Sequence, residues 1–269
     1  MAARPARRPA RRPAAPPSPR PAPHAGGTAD AAEVARFAAH AADWWDPDGA
    51  FAPLHRLNPV RVAWVRDRLV AHFARDGRSL EPFAGLSILD VGCGGGLVAE
   101  PMARLGGHVT GLDAEAGTLA VARAHAAESG LAIDYRDDAV EALASSGARF
   151  DAVLALEVVE HVADLPAFLA ACAAVLAPGG LLVLSTINRT ARAYALGIVA
   201  AERVLRWVPR GTHDWKKFVK PGELARALRN AGLTPVELCG LAYDPLARRW
   251  HPAPHDLAVN YFCTATRAA

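Results

Sequence analysis

A glycine-rich loop at residues 89–96, LDVGCGGG, is the first place where this sequence can hold a ligand. It follows a short apolar segment, and Gly92, Gly94 and Gly96 let the backbone approach a ligand closely and take positive φ. Asp90 precedes Gly92 by two residues. A carboxylate there suits a ligand with an amino group and a sulfonium and would repel a pyrophosphate. The loop also departs from the Gly-x-Gly-x-x-Gly spacing of dinucleotide-binding loops.

Two further acids end the apolar segments that follow along the chain. Asp113 ends HVTGLD, where it can accept hydrogen bonds from both hydroxyls of a ribose, and Asp138 ends AIDYRDD, where it can accept an adenine amino group. Asp90 alone, or Asp138 alone, is better explained as a turn or cap residue. Together, in this order, the acids favour S-adenosylmethionine as the ligand, and an NAD-dependent oxidoreductase is the alternative from a different enzyme class.

The segment LEVVEHV, residues 156–162, places Glu157, Glu160 and His161 at positions i, i+3 and i+4. Two carboxylates and an imidazole in a tight turn suit a hard divalent cation such as Mg²⁺. We expect His161, as a general base, and Glu160 to be catalytic. The alternative without chemistry is a helix start whose acids lie near its positive end.

Alternating strands and helices predict the scaffold that positions these residues. After residue 85, nearly continuous apolar strands separated by helices indicate an α/β, Rossmann-like fold: a mostly parallel seven-stranded sheet with helices on both faces. The last two strands, TPVELCGL and AVNYFCTATR, are joined by a loop alone and are expected to be antiparallel. The predicted strands are 87–92, 108–113, 132–138, 150–157, 179–186, 234–241 and 258–267.

Composition divides the chain of 269 residues into three parts. Residues 1–29 contain eight prolines and few large apolar groups, which predicts a disordered leader; a mitochondrial presequence is the alternative. Residues 30–84 predict N-terminal helices, one beginning at Asp30 and one over 59–74 with Pro59 in its first turn. Residues 85–269 form the predicted catalytic domain, which carries an insertion at about 188–220.

Charge and cysteine usage restrict the partners and the compartment. The net charge is +3, but six arginines lie in the first twenty residues, so the rest of the chain is about −3 by the same count and is not expected to bind nucleic acid. The four cysteines are widely spaced and fit a reducing environment. No run of eighteen apolar residues predicts a membrane-spanning helix.

Several segments taken together resemble the ubiquinone-biosynthesis O-methyltransferases, over residues 30–267. The segments are DWWDPDGAFAPLHRLNPVR, LDVGCGGG, VTGLDA, EVVEHV, APGGLLVLSTINR and GTHDWKKFVKP. The glycine loop marks only the broad class I of methyltransferases, whereas LHRLNPVR and GTHDWKKFVKP indicate the subfamily. A different O- or C-methyltransferase, or a non-catalytic S-adenosylmethionine-binding partner, are the alternatives.

The resemblance implies methylation of hydroxyl groups on polyprenylated phenols at two steps of ubiquinone synthesis, including demethylubiquinol to ubiquinol. By family pattern, Arg61, Gly92, Asp113 and Leu156 match cofactor-binding positions; Asp90, Gly94 and Asp138 complete our predicted cofactor set. Glu157, Glu160 and His161 match positions assigned to magnesium in some members. The implied location is peripheral at the bacterial inner membrane, on the cytoplasmic side, or the matrix face of the mitochondrial inner membrane. A ubiquinone-biosynthesis assembly is a further implied partner.

All three lysines of the chain lie in GTHDWKKFVKP, at the end of the insertion. The preceding segment has the pattern of a basic amphipathic helix, which can lie on an anionic membrane surface or close over the substrate. We expect Lys216, Lys217 and Lys220, with Trp215 and Phe218, to contact lipid head groups. A lysine-rich solvated turn, or a substrate entrance, are the competing interpretations.

Overall fold

The computed structural model describes residues 27–30, 34–35, 41–196, 198, 214–244, 246–247 and 249–268. The strands are β1 Ser87–Val91, β2 His108–Asp113, β3 Asp134–Asp137, β4 Phe150–Leu156, β5 Leu176–Ile187, β6 Leu233–Asp244, β7 Arg249–Ala253 and β8 Asn260–Arg267. The α-helices of more than one turn are α1 Ala52–His72, α2 Ala99–Arg104, α3 Ala116–Glu128, α4 Val140–Ser145, α5 Leu165–Val175 and α6 Pro221–Asn230. Short helical turns cover Ala41–Asp43, Ala191–Ala193 and Trp215–Lys217.

The described strands form one sheet in the order β3-β2-β1-β4-β5-β8-β6-β7. The first five pair in parallel, and β8 pairs antiparallel with both β5 and β6. This confirms the predicted mostly parallel sheet and the antiparallel pairing of its last strands. Because β1 lies between β2 and β4, the chain reverses its direction of winding there, and a crevice opens beyond the carboxyl ends of these strands.

Helices cover both faces of the sheet, as its apolar strands require. On one face, α4, α5 and α6 pack on residues such as Val153 and Leu184. On the other face, α1, α2 and α3 pack on residues such as Leu154 and Val183, which are the adjacent positions in the same strands. Successive side chains of a strand point to opposite faces, so a continuous apolar run fills both cores.

The prediction of seven strands is wrong by one, because β7 was not recognised. This strand, RWHPA, pairs antiparallel with β6 at the edge of the sheet and is half-exposed or exposed throughout. Proline is tolerated at a sheet edge, and an exposed edge strand needs no apolar run, so RWHPA lacks the pattern of a buried strand.

The helix predicted over 59–74 begins earlier than expected, at Ala52, with Pro53 in its first turn. Proline is favoured at this position because its missing N–H has no partner there, whereas Pro59 lies inside the helix. The helix expected from Asp30 falls largely outside the described residues; the N–H of Val34 donates to the carbonyl oxygen of Asp30 at 3.0 Å. Residues 1–26 of the predicted leader and most of the predicted insertion helix lie outside them as well. Residues 27–29 were predicted to be disordered with the leader, but Ala29 forms an antiparallel bridge with Val162.

Candidate active site

A cavity of about 300 Å³ lies at the carboxyl ends of β1, β2 and β4, and every site residue predicted from the sequence lines it. These residues come from the strand ends and the loops after them, except for one that comes from α1. They are Arg61, Asp90, Gly92, Gly94, Asp113, Asp138, Leu156, Glu157, Glu160 and His161. Residues spread over a hundred positions of sequence therefore line one cavity.

The glycine loop has no room for side chains on its cavity side. Gly92 has φ +69° and Gly94 has φ +52°, a region that residues with a Cβ rarely adopt. A Cβ on Gly92 would lie 2.7 Å from Val158 Cγ2, and one on Gly94 would lie 2.3 Å from Trp44 Cη2. The bare backbone of this loop thus forms part of the cavity wall.

Asp90 is a buried acid with an unused hydrogen-bonding atom. Its side chain accepts from the backbone N–H of Ala99, yet its Oδ2 has no partner among the described residues. Burial raises the pKa of Asp90 to about 7, although the positive charge of Arg61 opposes that shift. A cationic ligand beside this carboxylate would compensate the lost hydration.

Asp113 is held by the backbone around it. Its two carboxylate oxygens accept from the N–H of Gly94 at 2.9 Å and the N–H of Glu115 at 3.0 Å. Burial raises the pKa of Asp113 to about 6, and these two hydrogen bonds limit the shift. Each oxygen retains a lone pair for a further donor.

Asp138 reaches the cavity from the end of β3. One of its carboxylate oxygens accepts from the N–H of Ala139 at 2.8 Å, just before α4 begins. The residue therefore has the local turn contact that the sequence allowed as an alternative, and it also lines the cavity.

Arg61 enters the cavity from α1 and is 4 % exposed. Its Nη2 donates to Asn58 Oδ1 at 3.0 Å, whereas its Nε has no partner among the described residues. Burial lowers the pKa of Arg61, and the charges of Glu157 and Asp90 oppose this. An anionic group in the cavity would find an incompletely paired guanidinium here.

The segment after β4 is a turn, and the interpretation of LEVVEHV as a helix start is wrong. The next helix, α5, begins only at Leu165, with the side chain of Asp164 accepting from the N–H of Ala167 at 2.9 Å. Glu157 has φ +57°, which is uncommon for a residue with a Cβ and is found at functional turns. The carbonyl of Val158 accepts from the N–H of His161 at 2.8 Å and closes the turn.

Two carboxylates of this turn already have protein partners. Ser185 Oγ donates to Glu157 Oε1 at 2.7 Å, and Thr186 Oγ1 donates to Glu160 Oε2 at 2.7 Å. Glu160 is 3 % exposed, and burial, followed by repulsion from Glu157, raises its pKa to about 7. The charge of the neighbouring imidazole of His161 opposes this rise in the pKa of Glu160.

The arrangement does not fit the predicted magnesium site. In the part of the chain that the structure describes, no group of three His, Cys, Asp or Glu side chains is assembled so that it could hold a metal ion. Glu157 and Glu160 are instead oriented by the hydroxyls of Ser185 and Thr186. The described residues therefore do not support Glu157, Glu160 and His161 as one metal centre, and that assignment stays a prediction.

Sequence reasoning missed the aromatic wall of the cavity. Trp44 stacks on Phe51 with ring centroids 3.9 Å apart, and both line the cavity above the glycine loop. Trp45 Nε1 donates to the carbonyl of Gly95 at 3.0 Å. The signal was present as WWDPDGAF, but two tryptophans followed by turn formers specify no chemistry by spacing alone.

Comparison with known proteins identifies the family. A family model described as a methyltransferase domain matches residues 62–238. The ubiquinone biosynthesis O-methyltransferase of Chelativorans sp. (strain BNC1) is 55 % identical over 240 residues, which cover 89 % of this chain and 94 % of the relative. The protein of that name from Dinoroseobacter shibae is 53 % identical over 242 residues, covering 90 % and 98 %. The chain belongs to the ubiquinone biosynthesis O-methyltransferase family.

Membership in this family confirms the predicted resemblance and the enzyme class, an S-adenosylmethionine-dependent O-methyltransferase, and it removes the oxidoreductase alternative. The fold agrees with solved structures. The magnesium protoporphyrin IX methyltransferase of Synechocystis, solved with S-adenosylhomocysteine, superimposes with a TM-score of 0.60 at 19 % identity and covers 88 % of this chain and 94 % of its own. At this identity the likeness supports the fold alone.

Proposed function

We propose that this chain transfers the methyl group of S-adenosylmethionine to hydroxyl groups of polyprenylated phenols and catechols, at both O-methylation steps of ubiquinone synthesis. One observation carries the proposal: the glycine loop, the acids Asp90, Asp113 and Asp138, and the Glu160–His161 turn line a single cavity. The more than 50 % identity to relatives named for this reaction supports the substrate class.

The donor half of the cavity is assigned by the chemistry of its groups. Asp90 faces the donor's ammonium, Arg61 its carboxylate, Asp113 the ribose hydroxyls and Asp138 the adenine amino group. Gly92 and Gly94 allow close approach of the backbone, and Leu156 supplies an apolar contact. When bound, the donor supplies a methyl carbon that its sulfonium already activates, so the residues chiefly orient it.

The acceptor half has to remove a proton. A phenol has a pKa near 10 and is scarcely ionised at neutral pH. We assign His161 to accept the phenolic proton and Glu160 to stabilise the resulting imidazolium by its charge. The hydroxyl of Thr186 keeps the carboxylate of Glu160 oriented for this role. Excluding water and aligning oxygen, carbon and sulfur complete the work of the site.

Product analysis tests this assignment. Purified protein is incubated with donor labelled in the methyl group and demethylubiquinol, and the product is fragmented in a mass spectrometer. We expect one labelled methyl group on oxygen. We expect no transfer to an acceptor in which that hydroxyl is already methylated. Labelled methyl on ring carbon, or transfer to neither substrate of the two O-methylation steps, would contradict the proposal.

The three parts of the chain have separate roles in this proposal. Residues 85–269 form the methyltransferase domain, residues 30–84 close the donor side of its cavity, and residues 1–29 are the leader, whose Thr28 and Ala29 line the cavity. We propose a peripheral location at the cytoplasmic side of the inner membrane, where other proteins of the pathway meet the same insoluble substrates. No helix of the described residues is long and apolar enough to cross a membrane.

A small exposed surface supports contact with the membrane. Tyr194, Leu196 and Trp215 are 40 %, 47 % and 38 % exposed, and the rings of Tyr194 and Trp215 meet edge-on with centroids 6.4 Å apart. Lys216 and Lys220, in the same segment as Trp215, are exposed as well. An apolar surface flanked by lysines suits an anionic lipid interface. We define these five residues as the lysine-aromatic surface.

Two of the residues first assigned to lipid contact have other partners. Phe218 is 1 % exposed and packs with Ile187 and Ala193 in a small core. Lys217 Nζ forms an ion pair with Asp30 Oδ2 at 2.8 Å. We therefore leave both out of the proposed lipid contact.

Sedimentation with vesicles tests the lysine-aromatic surface. Binding to vesicles containing anionic lipid should fall severalfold when Trp215→Ala, Lys216→Glu and Lys220→Glu are combined, because both apolar and charge contacts are lost. Arg75→Glu, Arg78→Glu and Leu80→Ala combined are the matched control, since they make the same change of charge and remove an exposed apolar side chain elsewhere. Equal binding by both variants would reject the surface.

A further inference from the structure

The indole of Trp44 is buried against the donor cavity with its N–H group unused. The ring lies between Phe51, at a centroid distance of 3.9 Å, and the backbone of Gly94 and Gly95. Trp44 is 8 % exposed and lines the cavity, and its Nε1 has no hydrogen-bond partner among the described residues. Buried indole N–H groups usually have a partner, so an unused one at a cavity wall indicates a ligand.

Four buried side-chain atoms of the cavity lining have no partner among the described residues; one is Thr118 Oγ1, and the other three complement one another. Trp44 Nε1 and Arg61 Nε are donors, and Asp90 Oδ2 is an acceptor. Two donors and one carboxylate oxygen match an amino acid end, whose carboxylate accepts two hydrogen bonds and whose ammonium donates. The nucleoside end of the donor meets other groups, Asp113 and Asp138, on β2 and after β3.

We propose that Trp44 Nε1 donates a hydrogen bond to the carboxylate of the methionine moiety of the methyl donor, alongside Arg61. This inference rests on the proposed donor site. An indole N–H cannot accept, so within an amino acid end it can pair only with the carboxylate and not with the ammonium. Trp44 is thus a donor-binding residue supplied from outside the methyltransferase sheet.

The main chain around Trp44 is fixed on both sides, which holds the indole ready for the ligand. The carbonyl of Trp44 accepts from His55 Nε2 at 2.8 Å, in the first turn of α1. Trp45 donates from Nε1 to Gly95 and stacks on His125 with centroids 3.4 Å apart. A group positioned before the ligand arrives loses little freedom on binding.

The test separates the carboxylate from the rest of the donor. S-Adenosylhomocysteine carries the amino acid end, and 5′-methylthioadenosine lacks it while keeping the nucleoside and sulfur. Trp44→Phe retains an aromatic ring and removes the N–H. Trp64→Phe is the matched control. Like Trp44, Trp64 is buried, at 4 % exposure, and stacks on a phenylalanine, Phe262, but it does not line the cavity.

We expect Trp44→Phe to weaken S-adenosylhomocysteine about tenfold, the usual effect of losing a hydrogen bond to a charged group, and to change 5′-methylthioadenosine less than twofold. Trp64→Phe should change the ratio of the two affinities by less than twofold. Equal weakening of both ligands by Trp44→Phe, or weakening of neither, would overturn the proposal. If wild-type protein does not bind S-adenosylhomocysteine, the proposed donor site itself is contradicted, and the assignment of Trp44 fails with it.

A measurement on wild-type protein covers the case in which Trp44→Phe does not fold. In protein labelled with ¹⁵N at the indoles, we expect one N–H resonance to move on addition of S-adenosylhomocysteine and not on addition of 5′-methylthioadenosine. The same resonance should be present in Trp64→Phe, which shows that it does not come from Trp64. If every indole resonance responds equally to the two ligands, the N–H of Trp44 does not meet the carboxylate.

Discussion

At the scale of single residues, the cavity is defined by charges buried without full pairing. Asp90, Asp113 and Glu160 have pKa values raised to about 7, 6 and 7, in each case chiefly by burial. Below about pH 4 all three are protonated whether the chain is folded or not, and between pH 4 and their raised pKa values the folded protein holds the extra protons. The contribution of these carboxyls to the free energy of unfolding therefore falls as pH rises from about 4 to about 7. Above about pH 7 the destabilisation stays constant.

The shift at Asp90 predicts how donor binding depends on pH. Only the ionised carboxylate pairs with the donor's ammonium, so affinity for S-adenosylhomocysteine should rise as pH rises from 6 to 7 and level off above about 7.5, as titration calorimetry can measure. Asp90→Asn should flatten this dependence and weaken binding at pH 8. Glu160→Gln is the control, because Glu160 titrates near the same pH and belongs to the acceptor half. If Glu160→Gln flattens the profile and Asp90→Asn preserves it, the two assignments are reversed.

Most of the cavity's residues were predictable because each lies at the carboxyl end of a strand or just after it. Asp90, Asp113, Leu156 and the turn after it are brought together by the common edge of a parallel sheet. Arg61 followed only from family resemblance, since nothing in its local sequence indicates that a helix directs it into the cavity. Trp44 was not predicted at all, because its role depends on contacts with Gly94 and Gly95, fifty residues away.

At the scale of elements, the glycine loop depends on its neighbours as much as on its own flexibility. Its backbone contacts the indole of Trp44 on one side, and Gly94 donates to Asp113 on the other. A side chain here would displace the aromatic wall and disturb the acid of β2 together. The loop and the segment preceding α1 therefore act as one ligand-binding unit.

Gly94→Ala tests this coupling. The new Cβ would overlap Trp44 and lie in a backbone region of positive φ, so affinity for S-adenosylhomocysteine should fall at least tenfold. Gly130→Ala is the control for backbone strain: φ is +68°, and no atom lies within 4 Å of the added Cβ. Gly130→Ala should lose about 1 kcal/mol of folding free energy through backbone strain, Gly94→Ala should lose at least as much because of the overlap with Trp44, and only Gly94→Ala should lose affinity. Equal affinity losses in calorimetry would show that strain, and not contact with Trp44, is responsible.

The elements that sequence patterns missed share a physical cause. β7 is exposed and contains proline, and α4 has only six residues, too few to show a helical period. The turn containing Glu157 and His161 has the i, i+3, i+4 spacing of a helix, but Glu157 takes positive φ and stops helical geometry. Long buried strands, by contrast, were located to within a few residues.

At the scale of the whole molecule, chain segments far apart in sequence close the cavity. Ala29 forms an antiparallel bridge with Val162, and Thr28 Oγ1 donates to Glu141 Oε1 at 2.6 Å. Lys217 joins this segment to the end of the insertion through Asp30. Binding in a cavity closed from so many sides should stabilise the entire fold.

Ligand-dependent unfolding measures that stabilisation. S-Adenosylhomocysteine at about 100 times its Kd should raise the free energy of unfolding by about 2.7 kcal/mol, seen as a higher Tm in a thermal scan. NAD at the same concentration should leave Tm unchanged, because Asp90 repels its pyrophosphate. A shift with NAD and none with S-adenosylhomocysteine would contradict the assignment of the cavity.

The central claim is that one cavity holds the donor at its glycine loop and removes the acceptor's proton at His161. Single-turnover methyl transfer to demethylubiquinol by His161→Ala, with the Kd for S-adenosylhomocysteine measured on the same preparation, tests it most directly. We predict that the rate falls about 100-fold or more while the Kd changes less than twofold, since a general base contributes to chemistry and not to donor binding. An unchanged rate with an unchanged Kd would contradict the account.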